Sequence, residues 1–238
     1  MLDTIVINRQ IAMVRHSYPD AVYLPDENAL TLPFRLDATY EEIRIVRDCQ
    51  LRIILDEHYP HSLPRVYETS GVIPDGFIHR YVDGSLCFGV PTQVFYEHPG
   101  GIELLDLIRG PITQCLYSAF FQEEYGRMPF GERAHGVRGK LQFYEDIFST
   151  VEPKEVLALL RYAAAGIYHG SDKCPCGSGQ QVWKCHGPIL RRLCSEEMSP
   201  SVETDANEVF GVLESYKTRE RSLKMVKMSL AMQESHCG

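Results

Sequence analysis

Two prolines four residues apart set the first limit on this chain. In Tyr59-Pro60-His61-Ser62-Leu63-Pro64 each proline disfavours helix at the residue before it. The segment is therefore an extended connection, and its flanks read as strands. Before it, Cys49–Leu55 (Cys-Gln-Leu-Arg-Ile-Ile-Leu) is rich in branched residues; after it comes the short β segment Val66–Thr69. Upstream, Ala21–Leu24 and Ala29–Phe34 bracket the polar turn Pro25-Asp26-Glu27-Asn28, the pattern of two strands around a turn. Thr4–Ser17 places Ile7, Ile11 and Val14 near helical spacing and predicts a helix ending before Pro19. The expected fold is α+β: a helix, then a four-stranded antiparallel meander.

The chain then reaches the turn His79-Arg80-Tyr81-Val82-Asp83-Gly84-Ser85-Leu86-Cys87. After Pro91 and the Pro99-Gly100-Gly101 turn, apolar residues at 104, 105, 108, 112, 116, 119 and 120 predict a helix over 102–125, kinked or split at Pro111. The glycine-rich, basic stretch 126–140 reads as a mobile loop. Helical pattern resumes at 141–148 and at 155–168, the latter behind Pro153, a favoured first-turn residue. The Ser/Glu/Asp-rich stretch 195–207 reads as a linker. Residues 209–230 read as an amphipathic helix, with apolar groups at 209, 213, 216, 223, 226 and 230. Four parts are expected: a catalytic domain over 1–150, a helical connector over 151–170, a small metal module over 171–194, and the linker with its helix over 195–238.

Composition bounds the function. The chain has 238 residues and a formal net charge of −8; phosphate repulsion makes an acidic chain a poor general binder of nucleic acid. No run of eighteen apolar residues suggests a membrane span, and the first residues lack the basic start and apolar run of a secretory signal. Eight cysteines, at 49, 87, 115, 174, 176, 185, 194 and 237, are sparse at first and clustered later. That distribution fits a reducing cytoplasm with one metal site and free thiols elsewhere, rather than a disulfide framework.

Cys174-x-Cys176-x₈-Cys185-His186 offers three thiolates and an imidazole, a complete tetrahedral donor set for Zn2+. With no open position such an ion is structural, not catalytic. Gly177 and Gly179 permit the tight turn around it. The run Cys-Pro-Cys-Gly-Ser-Gly…Trp-Lys-Cys-His-Gly resembles the SEC-C motif found at the end of the bacterial preprotein translocase motor and in many multidomain bacterial proteins. Lys173, Lys184, Arg191 and Arg192 against Asp172 give this module a net charge of +3, suited to docking a partner protein. Cys194 lies outside the ligand spacing.

Cys87 is the candidate nucleophile, since a thiolate attacks well wherever its site leaves it reachable. A buried, inert thiol at a strand end is the plainer alternative. The run Leu51–Thr69 with its Tyr-Pro-x-x-x-Pro turn, then Ile73-Pro74, His79, Asp83 and Gly84-Ser85-Leu86-Cys87, resembles the ubiquitin-conjugating enzyme (UBC) family over about residues 1–125. The resemblance implies that family's α+β fold. It also implies a thioester on Cys87 that accepts the C-terminal carboxyl of a small modifier protein from an activating enzyme and passes it to an amine of a target protein.

One departure stands out. The family has His-Pro-Asn ten residues before its cysteine, the asparagine assisting the oxyanion. Here His79 lies eight residues before Cys87, with Arg80-Tyr81 following and no asparagine in the segment. His79, Tyr81 or a backbone N–H is then the replacement donor. Asp83 is either an orienting base for the amine or an Asp-Gly turn residue, and His135 either a second acid/base or a solvated loop histidine. The asparagine-free form resembles the bacterial branch of the family, often encoded in defence-related (antiviral) operons. The alternative to an enzyme is an inactive adaptor of the same fold that binds partners through its first domain and the metal module.

Overall fold

The computed structural model describes residues 4–130, 134 and 136–234, with side chains to 215 and at 218. It is an α+β protein with one four-stranded antiparallel sheet, in the order β1-β2-β3-β4. The chain divides into two compact units, 1–132 and 133–238.

The first unit opens with α1 (Thr4–Ser17), whose Ile7, Ile11 and Val14 are buried. The meander follows as β1 (Val22–Leu24), β2 (Ala29–Tyr40), β3 (Ile43–Ile54) and β4 (Arg65–Glu68). β2 and β3 pair along their whole length, from Ala29 opposite Ile54 to Tyr40 opposite Ile43. Both strands run well beyond the expected 29–34 and 49–55. The hairpin closes through Glu41 and Glu42, both with positive φ (47° and 68°), the backbone of a two-residue type I′ turn. Alternate residues Leu30, Leu32, Phe34 and Leu36 of β2, with Ile45, Cys49, Leu51 and Ile53 of β3, fill one face of the core.

The predicted helix over 102–125 is three joined segments: α3 (Leu104–Leu107), a π turn (Ile108–Ile112) and α4 (Thr113–Tyr125), which packs on β2 and β3. Pro111 sits in the π turn. It lacks an N–H, and its ring would clash with the carbonyl four residues back in a regular α-helix. A widened turn absorbs that defect without ending the helix. Before it lies α2 (Pro91–Glu97), a short helix behind Pro91 that the periodicity did not indicate.

A buried polar knot gives Tyr59 its place. Its hydroxyl donates to Gln10 Oε1 at 2.5 Å, and the Leu104 amide donates to the same oxygen at 2.8 Å. α1, the connection after β3 and the start of α3 are thereby joined. Gly101 (φ +91°) lies so close that a Cβ there would stand 2.5 Å from the Pro60 carbonyl oxygen.

The second unit contains α5 (Gly136–Phe148), α6 (Pro153–Ala164), α7 (Gly187–Leu193) and α8 (Ser199–Glu234). Two expectations are corrected here. The loop expected over 126–140 gives way to helix from Gly136; His135 and residues 131–133 lie outside the described residues. The linker expected over 195–207 is a turn over 195–198 and then the first turns of α8 from Ser199, with Val202, Asp205, Ala206 and Val209 buried. The acidic residues there have partners. Asp205, 2% exposed, accepts from Lys140 Nζ at 2.8 Å and from the Tyr144 hydroxyl at 3.1 Å, and Lys140 also pairs with Glu208. No helix among the described residues is long and apolar enough to cross a membrane.

Candidate functional site

Residues 79–87 form a small hairpin beside β4. Arg80 pairs with Leu86, the Cys87 amide donates to the His79 carbonyl at 2.8 Å, and the Tyr81 amide donates to the Ser85 carbonyl at 2.8 Å. The Leu86 amide donates to the Val66 carbonyl at 2.7 Å and fastens the hairpin to β4. The tip is a three-residue loop. The Gly84 amide closes on the Tyr81 carbonyl at 2.9 Å, with Gly84 at φ +85°, the turn-plus-bulge geometry that an Asp-Gly pair favours.

This register explains who meets the sulfur. His79 stands opposite Cys87, and Tyr81 lies on the diagonal, on the same face of the hairpin. Tyr81 is 53% exposed. Burial first, then its neighbours Cys87 and Asp83, push the phenol above its ordinary range, so it keeps its proton at neutral pH. The His79 ring packs against Phe77, centroids 5.5 Å apart. Cys87 itself is partly buried, neither sealed in the core nor fully open. Beneath it Cys115 donates its thiol to the Cys87 carbonyl at 3.7 Å, and burial raises that thiol to about 12.

Asp83 is engaged in its own turn. Its Oδ1 accepts the Ser85 amide at 3.0 Å and the Ser85 hydroxyl at 2.6 Å, while the Tyr67 hydroxyl donates to Oδ2 at 3.3 Å. The Ser85 hydroxyl first, then its amide, hold this carboxyl below the usual range, which makes it a weaker base than a free aspartate. The geometry is that of a turn residue. A cleft of about 550 Å³ lies elsewhere in the first unit, lined by Arg9, Gln10, Tyr59, Pro60 and Glu103 among others; Cys87 is not in its wall.

In the second unit Cys174, Cys176, Cys185 and His186 converge, their ligand atoms all within 4.8 Å of one another. The cluster can hold a metal ion. A backbone loop builds it: Lys173 pairs with Gln181, the Cys174 amide donates to the Gln180 carbonyl at 2.7 Å, and Gly177 and Gly179 take φ of +81° and +75°. Cys176 and Cys185 sulfurs are 3.6 Å apart, and His186 Nδ1 lies 3.3 Å from Cys174 Sγ and 3.2 Å from Cys185 Sγ. Tetrahedral bonding at about 2.0–2.3 Å asks for edges of about 3.3–3.8 Å, so the cluster is close to ligating size.

The orientation of His186 is set from outside the cluster. Its Nε2 lies 3.2 Å from the Phe148 carbonyl oxygen. Donation there puts the proton on Nε2 and leaves the Nδ1 lone pair facing the three sulfurs, the usual outer support of a metal-ligating histidine. Burial works against the Cys176 thiolate. The Ser178 hydroxyl and amide, with the Cys174 and Cys185 thiols, outweigh it and bring that thiol down to about 6, whereas burial raises Cys174 to about 11. Trp183, mostly exposed, donates its Nε1–H to Gln181 Oε1 at 3.0 Å, with Lys184 Nζ 4.8 Å from the ring centroid.

The four metal-ligand candidates therefore meet in one place, and His79, Tyr81, Asp83 and Cys87 share one hairpin. The spacing carried no sign of Tyr67 reaching Asp83 or of the Phe148 carbonyl supporting His186. Both are contacts across sequence, 16 and 38 residues apart. Comparison of the chain with protein-family models, curated proteins and solved structures finds no match.

Proposed function

We propose that the chain is a ubiquitin-conjugating-like acyl carrier, with Cys87 as its thioester-forming residue and a structural Zn2+ held by Cys174, Cys176, Cys185 and His186. The observation that carries this reading is the placement of Cys87. It stands at the base of an ordered hairpin fastened to the last strand of a four-stranded meander, partly accessible, with His79 and Tyr81 on the same face of the hairpin. The order of helix, meander, cysteine hairpin and long helix agrees with the UBC-like resemblance in the sequence. The donor set and spacing of the metal cluster support zinc, and the SEC-C-like module would then recruit a partner or target. All cysteines among the described residues are free, which agrees with a reducing cytoplasm and with a bacterial conjugation system of the defence-related kind.

In this reading a modifier's carboxyl group is transferred to the Cys87 thiolate, and an amine of the target then displaces it. Asp83 shapes the turn that presents the cysteine. The test is incubation with candidate modifiers and their activating enzymes. The expected result is an adduct that reducing agent removes, absent in Cys87→Ala and kept in Cys115→Ala. An adduct that survives Cys87→Ala would overturn the assignment.

One observation favours the adaptor as a second reading. No asparagine stands near Cys87, and the Leu86 and Cys87 amides are both committed to backbone bonds, so those amides offer no ready oxyanion hole. Under that reading no adduct forms with any modifier.

A further inference from the structure

We propose that the Tyr81 hydroxyl is the hydrogen-bond donor that stabilises the oxyanion formed when an acyl group passes through Cys87. The inference rests on the acyl-transfer reading of Cys87 given above. Three kinds of donor were open from the sequence, and the hairpin separates them. Two backbone amides at the cysteine are engaged: Leu86 N–H with the Val66 carbonyl and Cys87 N–H with the His79 carbonyl. Turning either toward a substrate would unfasten the hairpin from β4 or open its register. The His79 ring packs against Phe77. Tyr81 is the phenolic donor on this face of the hairpin. The hairpin register sets it diagonally to Cys87 on the same face, where aromatic side chains reach their neighbours.

Its exposure fits the task. Just over half of the residue is open to solvent, and Cys87 is itself partly accessible. The raised phenol keeps its proton and remains a donor throughout the neutral range. Neighbouring Val82 at the loop tip and Ile78 at its foot are also exposed and apolar.

The step balances without a further reactant. The amine nitrogen attacks the thioester carbonyl carbon, forming a C–N bond while the carbonyl electron pair moves onto oxygen. Tyr81 O–H donates a hydrogen bond to that oxygen and keeps its proton. Collapse restores the carbonyl, breaks the C–S bond and releases the Cys87 thiolate. The surplus proton on nitrogen passes to water. A donor aimed at the oxyanion lowers the barrier because charge appears there only in the transition state.

The test needs no knowledge of the modifier. The full chain is acetylated with p-nitrophenyl acetate, Cys87 is followed by peptide mass spectrometry, and the acetyl group is discharged with hydroxylamine. Alkylation of Cys87 by iodoacetamide, a displacement at saturated carbon with no oxyanion, is the control. Acylation and alkylation rates are compared as a ratio at the same pH. In Tyr81→Phe we expect acetylation and discharge to slow by about 100-fold, the usual scale for one oxyanion donor, with alkylation unchanged. Unchanged acyl transfer in Tyr81→Phe would overturn the role of Tyr81 and leave the acyl-transfer reading standing. So would equal slowing of acylation and alkylation, which would make Tyr81 a structural support of the thiol. Failure of wild-type Cys87 to acetylate would overturn the acyl-transfer reading, and the oxyanion role with it.

Discussion

At the scale of single residues, backbone conformation decides more than side-chain chemistry. Gly101 combines a positive φ with a site where a Cβ would meet the Pro60 carbonyl oxygen at 2.5 Å. Gly101→Ala should destabilise the first unit by about 2 kcal/mol or more, from backbone strain plus that clash, visible as a lower denaturation midpoint. Glu41 and Glu42 present the opposite case. Non-glycine residues at positive φ carry a cost of about 1 kcal/mol each, and type I′ turns favour Asn-Gly. The double change Glu41→Asn with Glu42→Gly should therefore raise the melting temperature. The same pair shows why the β2–β3 hairpin was only half legible: Glu-Glu carries no turn signal, so the strands seemed to stop at Phe34 and to start again at Cys49. Where turn chemistry was explicit, as at Asp83-Gly84 and Pro25–Asn28, sequence and structure agree.

Among the elements, β4 depends on its last residue. The Glu68 carboxylate accepts the amides of Gln50 (3.2 Å), Ser70 (2.8 Å), Gly71 (2.9 Å) and Val72 (3.1 Å). It thereby holds the strand end and the following loop to β3. Burial works to raise this carboxyl, but the Ser70 hydroxyl and the surrounding amides outweigh it, and the folded-state value is lowered. A carboxyl lowered on folding contributes stability that is present in full above its unfolded value, about 4.3. That contribution is lost as pH falls through the folded-state value. The stability advantage of wild type over Glu68→Gln should therefore be constant near neutrality and shrink on acidification through about pH 4; an advantage independent of pH would count against the carboxylate. In the second unit α8 owes its position to a buried ion pair. Lys140→Ala takes the Lys140 cation away from the buried Asp205 carboxylate, leaving it the Tyr144 hydroxyl, and should cost about 3–5 kcal/mol, measured by chemical denaturation. Composition could not show this helix, because Ser199–Ala206 is as polar as a linker. Its order comes from Lys140 and Tyr144 on α5, about sixty residues away by the Tyr144–Asp205 bond.

For the whole molecule, the division into two units assigns each candidate site to its own core: Cys87 to the sheet unit, the metal cluster to the helical one. Zinc content of one per chain, abolished by Cys174→Ser, is the expected result of metal analysis. Chelation should lower the stability of the second unit, since metal binding to such clusters is itself folding energy. The cluster was legible because ligand spacing is local in sequence. Tyr81 was legible as one of several candidate donors, but its place on the Cys87 face was not, because that needs the hairpin register that pairs Arg80 with Leu86. One residue of the metal loop has a practical consequence. Trp183 is the chain's single tryptophan, its indole held to Gln181 one loop residue away from the ligand pair Cys185-His186. The molecule thus carries an optical gauge on one unit alone: indole emission should report an ion added to or stripped from the Cys174–His186 cluster, and it carries no signal from the first unit.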